Sequence, residues 1–137
     1  MKIKICIIMS RYNKDVTNKL HQSAKKTLQK ELKKDVLINL IEVPGAFEIP
    51  VTISRVIKKY DGFIAIGCII KGKTTNFDLI SNAITNAIMQ ISINEKKPIG
   101  NAILTCLNKN QAKYRFNRGA EAAKAVITVL KNAPKKF

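Results

Sequence analysis

Apolar positions along this chain follow two rhythms that take turns. Lys2 to Met9 is an isoleucine-rich run with the pattern of a strand buried on both faces; past the polar Ser10-Arg11-Tyr12-Asn13, Val16, Leu20, Ala24, Leu28 and Leu32 recur every four residues, as one face of a helix does. Val36 to Val43 predicts a second strand, broken by Pro44-Gly45. A second helix is expected from Ala46 to Lys59, with Pro50 near its first turn, where a missing amide hydrogen costs least, and with Val51, Ile53, Val56 and Ile57 as its apolar face. Gly62 to Ile70 reads as a third strand. After a Gly-Lys-Thr-Thr turn, a long helix keeps Phe77, Ile80, Ile84, Ala87, Ile88 and Ile91 at helical spacing, and Pro98 ends the connection. Ile99 to Cys106 predicts the fourth strand. A polar segment, Asn108 to Arg118, leads to a last helix from Gly119 to Asn132, faced by Ala120, Ala123, Ile127 and Leu130, and Ala133 to Phe137 read as a frayed basic end.

Alternating strands and helices with fully apolar strands imply an α/β fold: one domain over residues 1–137, with a four-stranded parallel sheet covered by helices on both faces. Ligands of such sheets bind at the carboxyl ends of the strands. Those ends carry Ser10 to Asn13, Pro44 to Glu48, Lys71 to Asn76 and Thr105 to Arg118, so four polar or glycine-bearing stretches gather on one edge.

Composition narrows the classes. Of 137 residues, 46% are hydrophobic, too many for a disordered chain, yet no apolar run approaches the roughly 20 residues a bilayer needs. The first ten residues lack the long apolar core and cleavage site of a signal peptide, so the chain is read as unprocessed and cytoplasmic. Cys6, Cys68 and Cys106 lie far apart, each in a strand-like run, and are read as buried reduced thiols. The net charge of +16 raises the question of a polyanion partner. Its lysines, in pairs such as Lys25-Lys26, Lys33-Lys34, Lys58-Lys59 and Lys96-Lys97, stand mostly near element ends, without a basic stripe of interleaved aromatics. The charge is therefore read as a solvated surface rather than a nucleic-acid interface. A chain this small has little room for a private enclosed site, which points to a site shared between subunits.

Three stretches carry candidate chemistry. Gly67-Cys68-Ile69-Ile70-Lys71-Gly72-Lys73-Thr74 satisfies the P-loop spacing between a strand and a helix, which keeps a nucleotide-binding protein among the alternatives. Against it, Cys68, Ile69 and Ile70 prefer to stay extended, and no apolar strand ends in a Mg²⁺-binding Asp. The smaller expectation is an anion at Gly72 to Thr75, where unpaired amide hydrogens and the following helix dipole favour negative charge. Glu48, in a first helical turn, could be only a dipole partner; Tyr12 could be an exposed aromatic at a helix start, and Arg115 a solvated arginine.

Together the stretches say more. Ser-Arg-Tyr-Asn after the first strand, Val-Pro-Gly-Ala-Phe-Glu-Ile-Pro after the second, Ile-Ala-Ile-Gly-Cys-Ile-Ile-Lys-Gly-Lys-Thr-Thr-Asn-Phe-Asp through the third, Ile103-Leu104-Thr105, and Asn117-Arg118-Gly119-Ala120-Glu121-Ala122-Ala123 resemble the 6,7-dimethyl-8-ribityllumazine synthase family, in its order and over nearly the whole chain. The resemblance implies a flavodoxin-like three-layer α/β/α fold and the condensation of 5-amino-6-ribitylaminouracil with 3,4-dihydroxy-2-butanone 4-phosphate, the penultimate step of riboflavin synthesis. It also implies a homo-oligomer built of one or more pentamers, association with riboflavin synthase, and no cofactor or metal. By the same resemblance Tyr12 stacks on the pyrimidine ring, and Ala46, Phe47 and Glu48 hold the ring edge and ribityl chain. Cys68, Ile69 and Ile70 contact the base, and Asn101 takes a substrate-contacting position often occupied by an aromatic. Gly72, Lys73 and Thr74 form the phosphate turn, with Arg115 of a neighbouring subunit on the same phosphate.

Two departures stand out. Asn76 occupies the position of the family histidine, the proposed proton shuttle, and the one histidine, His21, falls in the first helix; the segment between Arg115 and Gly119 is shorter than usual by about five residues. An Asn amide hydrogen-bonds but does not carry protons at neutral pH. The expectations are thus a lumazine synthase, a P-loop nucleotide binder, or a catalytically silent basic assembly protein.

Overall fold

The computed structural model describes residues 2–71 and 76–132. Four strands, β1 (Ile3–Ser10), β2 (Val36–Val43), β3 (Gly62–Ile70) and β4 (Ile99–Cys106), form one sheet in the order β2-β1-β3-β4, with every pairing parallel. Helices α1 (Lys14–Leu32), α2 (Ile49–Val56), α3 (Phe77–Glu95), α4 (Lys109–Lys113) and α5 (Arg118–Lys131) connect and cover it.

Alternation along each strand sorts the core into two layers. Ile5, Ile7 and Met9 of β1, with Ile64 and Ile66 of β3, pack with Val16, Leu20, Ala24 and Leu28 of α1 and Ala123, Val126 and Ile127 of α5. The intervening Cys6, Ile8, Phe63 and Ala65 pack with Ile49 and Ile53 of α2 and Ile84 and Ile88 of α3. Full burial of each large aliphatic side chain contributes about 1.5–3 kcal/mol, so both layers are needed to offset the chain's ordering. The expected three-layer flavodoxin-like architecture is the observed one.

Two glycines set how closely α5 approaches. A Cβ at Gly119 would stand 2.2 Å from the Leu20 carbonyl oxygen, and one at Gly100 would stand 2.6 Å from the Ala122 carbonyl oxygen. Ser23 Oγ of α1 accepts the Ala120 amide hydrogen at 3.0 Å, satisfying one of the unpaired donors at the start of α5.

The second helix differs from its expected span of Ala46 to Lys59. Ala46–Glu48 is a 3₁₀ turn, and the α-helix covers Ile49–Val56 with Pro50 in its first turn. This shifts the buried stripe: Ile49 is fully buried, whereas Val51, expected on the apolar face, is 58% exposed. Past the helix, Lys97 Nζ donates to the Ile57 carbonyl at 2.7 Å, taking up an acceptor that the terminated helix leaves open. On α5, Ala122 and Val126 are buried beside the expected Ala123 and Ile127, while Ala120 and Leu130 lie at the margin.

Candidate active site

The order in which strands are added to the sheet reverses between β1 and β3, and a cleft of about 690 Å³ opens at the carboxyl edge there. Its walls come from the ends of all four strands: Tyr12 and Asn13 after β1, Pro44 to Phe47 after β2, Cys68 to Ile70 of β3, and Leu107 to Lys109 after β4, with Ile80 of α3. Tyr12 and Phe47 are 62% and 67% exposed, two aromatic surfaces open to a planar ligand. Asn13 adopts the left-handed conformation (φ 61°), and its Nδ2 donates to the Cys68 carbonyl at 3.3 Å, joining the ends of β1 and β3. A Cβ at Gly67 would stand 3.3 Å from Ser10 Oγ and 3.4 Å from Ala46 Cβ, so glycine there lets the turn after β2 close down on β3.

The cleft unites Tyr12, Ala46, Phe47, Cys68, Ile69 and Ile70, the residues that the resemblance assigns to the ring and its edge. Burial pushes the Cys68 thiol up to about 11, leaving it neutral and apolar at pH 7. Glu48 sits in the adjoining turn rather than on the cleft wall. Its Oε1 accepts the Gly45 amide hydrogen at 2.9 Å, and its carbonyl accepts from Thr52 Oγ1 at 2.8 Å. Gly72, Lys73 and Thr74 lie outside the described residues. Asn76 precedes α3, and its carbonyl accepts the Ile80 amide hydrogen at 2.9 Å.

Asn101 and Arg115 are not brought to this cleft. Asn101 pairs with Ala65 in the sheet, five positions before the end of β4, which at a rise of about 3.3 Å per residue is roughly 16 Å from the carboxyl edge. Its Oδ1 accepts the Ile103 amide hydrogen at 3.0 Å, and its carbonyl accepts from Arg118 Nε at 3.0 Å. Arg115 lies exposed one turn before Arg118, whose amide hydrogen reaches the Arg115 carbonyl at 3.0 Å. Asn101 and Arg118 therefore belong to a second surface of the same chain, whereas the charge of Arg115 acts on Cys106 at the end of β4.

The pattern reading passed over Asn13, Ile80, Leu107, Asn108 and Lys109 as individual cleft residues, although Asn13, Leu107, Asn108 and Lys109 fall inside the strand-end stretches it singled out. Leu107 and Asn108 are held by a reciprocal turn: the Leu107 amide donates to Gln111 Oε1 at 2.8 Å and the Gln111 amide to Asn108 Oδ1 at 3.1 Å. The P-loop alternative fares poorly in this geometry. Gly67, Cys68, Ile69 and Ile70 stay in register with Ile103, Leu104, Thr105 and Cys106, as strand rather than an open phosphate-cradling loop. Among the described residues no group of His, Cys, Asp and Glu is arranged to hold a metal, and no helix is long and apolar enough to cross a membrane.

The sequence model of one family, described as 6,7-dimethyl-8-ribityllumazine synthase, matches residues 2–133. Curated proteins bearing that same description are similar over most of their length. The Agrobacterium fabrum protein is 36% identical over 94% of this chain and 93% of its own. The Polaromonas sp. protein is 36% identical over 92% and 84%, and that of Corynebacterium kroppenstedtii is 34% identical over 91% and 81%.

Proposed function

The chain belongs to the 6,7-dimethyl-8-ribityllumazine synthase family and is a transferase of riboflavin biosynthesis; from that premise we propose that its cleft binds the ribitylaminouracil and that a neighbouring subunit completes the site. In this reading Tyr12 stacks on the pyrimidine, Ala46, Phe47 and Glu48 hold the ring edge and ribityl chain, and Cys68, Ile69 and Ile70 line the base. Gly72, Lys73 and Thr74 receive the phosphate of the dihydroxybutanone. Arg115 reaches the same phosphate from the adjacent subunit, and Asn101 arrives from that side as well.

One observation supports the sharing most directly: Tyr12, Ala46, Phe47 and Cys68 to Ile70 surround one cleft, while Asn101 lies with Arg118 on a separate surface. In this reading a single chain supplies two half-sites. Closed cyclic association joins such halves, and a pentamer, or a multiple of pentamers, is the assembly proposed. A cytoplasmic location and association with riboflavin synthase belong to the same family-based reading.

The chemistry asks the protein mainly to orient. The substrate amine attacks the carbonyl of the partner substrate, the imine forms between them, and phosphate and water leave, so no enzyme nucleophile takes part. Proximity supplies up to about 7–11 kcal/mol, whereas one general acid or base typically gives about 10²–10⁴-fold, or roughly 3–5 kcal/mol. An asparagine at position 76 therefore leaves most of the acceleration in place. The test is turnover of the two substrates by the purified protein, followed by the absorbance of the lumazine. No lumazine above the uncatalysed rate would overturn the reading.

A further inference from the structure

Lys109 on the cleft wall is used by none of these roles, and its ammonium is paired beside the cleft. The residue lines the β4 side, and its ammonium lies 3.0 Å from Oδ2 of Asp15, in the first turn of α1 just beyond Tyr12 and Asn13. The hydrogen bond and charge of Lys109 hold the Asp15 carboxyl below its ordinary range. The backbone beneath Lys109 is fixed by the Leu107, Asn108 and Gln111 turn, so the ammonium is offered from an anchored base.

The order of strands says what this ammonium would meet. Across the carboxyl edge run β2, β1, β3 and β4, at about 4.8 Å per strand, or roughly 14 Å from first to last. A ligand whose ribityl chain lies over Ala46 and Phe47, beyond β2, and whose ring rests on Tyr12 and against Cys68 to Ile70 has its remaining ring edge toward β4. On a pyrimidinedione that edge carries a carbonyl oxygen, an acceptor matched to an ammonium donor. We propose that Lys109 donates a hydrogen bond to a ring carbonyl of the pyrimidinedione, and that Asp15 is the positioning residue that keeps Lys109 at the cleft.

This rests on the site reading above, and the experiment separates the two. The ligand titrated is 6,7-dimethyl-8-ribityllumazine, which keeps the ring edge and ribityl chain and reports binding by its own fluorescence. Lys109→Met, which retains the aliphatic stem without the charge, should weaken binding about 10-fold, and Lys109→Arg should stay within about 3-fold of wild type. Asp15→Asn should fall between them, and the inhibition constant of inorganic phosphate should not move. Unchanged lumazine affinity in Lys109→Met, or an equal loss for phosphate, would overturn the proposal. A wild type that binds lumazine without forming it would overturn the catalytic reading and leave Lys109 its role; a wild type that binds no lumazine would overturn both.

Discussion

Glu48 has two demands on one carboxylate. Its Oε1 already accepts the Gly45 amide hydrogen, and the proposed site asks the same group to accept hydroxyls of the ribityl chain. Glu48→Ala should therefore lose ribityl-ligand affinity and also about 1 kcal/mol of stability, read as a lower melting temperature. Glu48→Gln keeps an oxygen for Gly45 and should melt near wild type while still losing affinity; a Gln variant as unstable as Ala would show that the charge, not the acceptor, holds the turn. Asn76 sits where the family places its proton shuttle, so Asn76→His should raise turnover about 10-fold or more with little change in substrate affinity, measured where chemistry limits the rate. Much of this site was legible because Ser10 to Asn13 and Val43 to Pro50 are contiguous stretches at strand ends. The Asp15–Lys109 pair was not, since it joins the start of the first helix to the start of α4, and only packing brings them together.

The elements themselves were legible for a simple reason: each strand is a near-continuous apolar run, and each long helix keeps one four-residue stripe. Where the reading slipped, a local contact decided. The second helix was expected to begin at Ala46, but the Glu48 to Gly45 hydrogen bond is made by a tight 3₁₀ turn, and that turn rotates Val51 outward and Ile49 in. The glycine at the start of α5 had no sequence rhythm to announce its purpose. It is the point where α5 rests on α1, and Gly119→Ala should destabilise the fold by about 3 kcal/mol, because the clash is with main-chain atoms of Leu20 that cannot swing aside. Urea denaturation would read this as a lower midpoint with an unchanged slope. A midpoint within experimental scatter of wild type would mean that α5 can slide on α1.

At the scale of the whole molecule, the separation of the cleft from the Asn101 and Arg118 surface predicts assembly. Light scattering at micromolar concentration should give a mass of at least five chains, and a monomer that turned over both substrates would count decisively against the shared site. Leu79, Met89 and Ile93 of α3 are 71%, 58% and 60% exposed on the single chain, a supply of apolar surface for that association. The cysteines have a consequence of another kind. Cys6 on β1, Cys68 on β3 and Cys106 on β4 are all buried, and burial raises each thiol, Cys6 and Cys68 to about 11, so none is a nucleophile while the sheet is closed. Three adjacent strands thus each carry a dormant tag that wakes only when its own strand is bared. Mass mapping of alkylated peptides over time would time the opening of the sheet strand by strand, with no foreign label introduced.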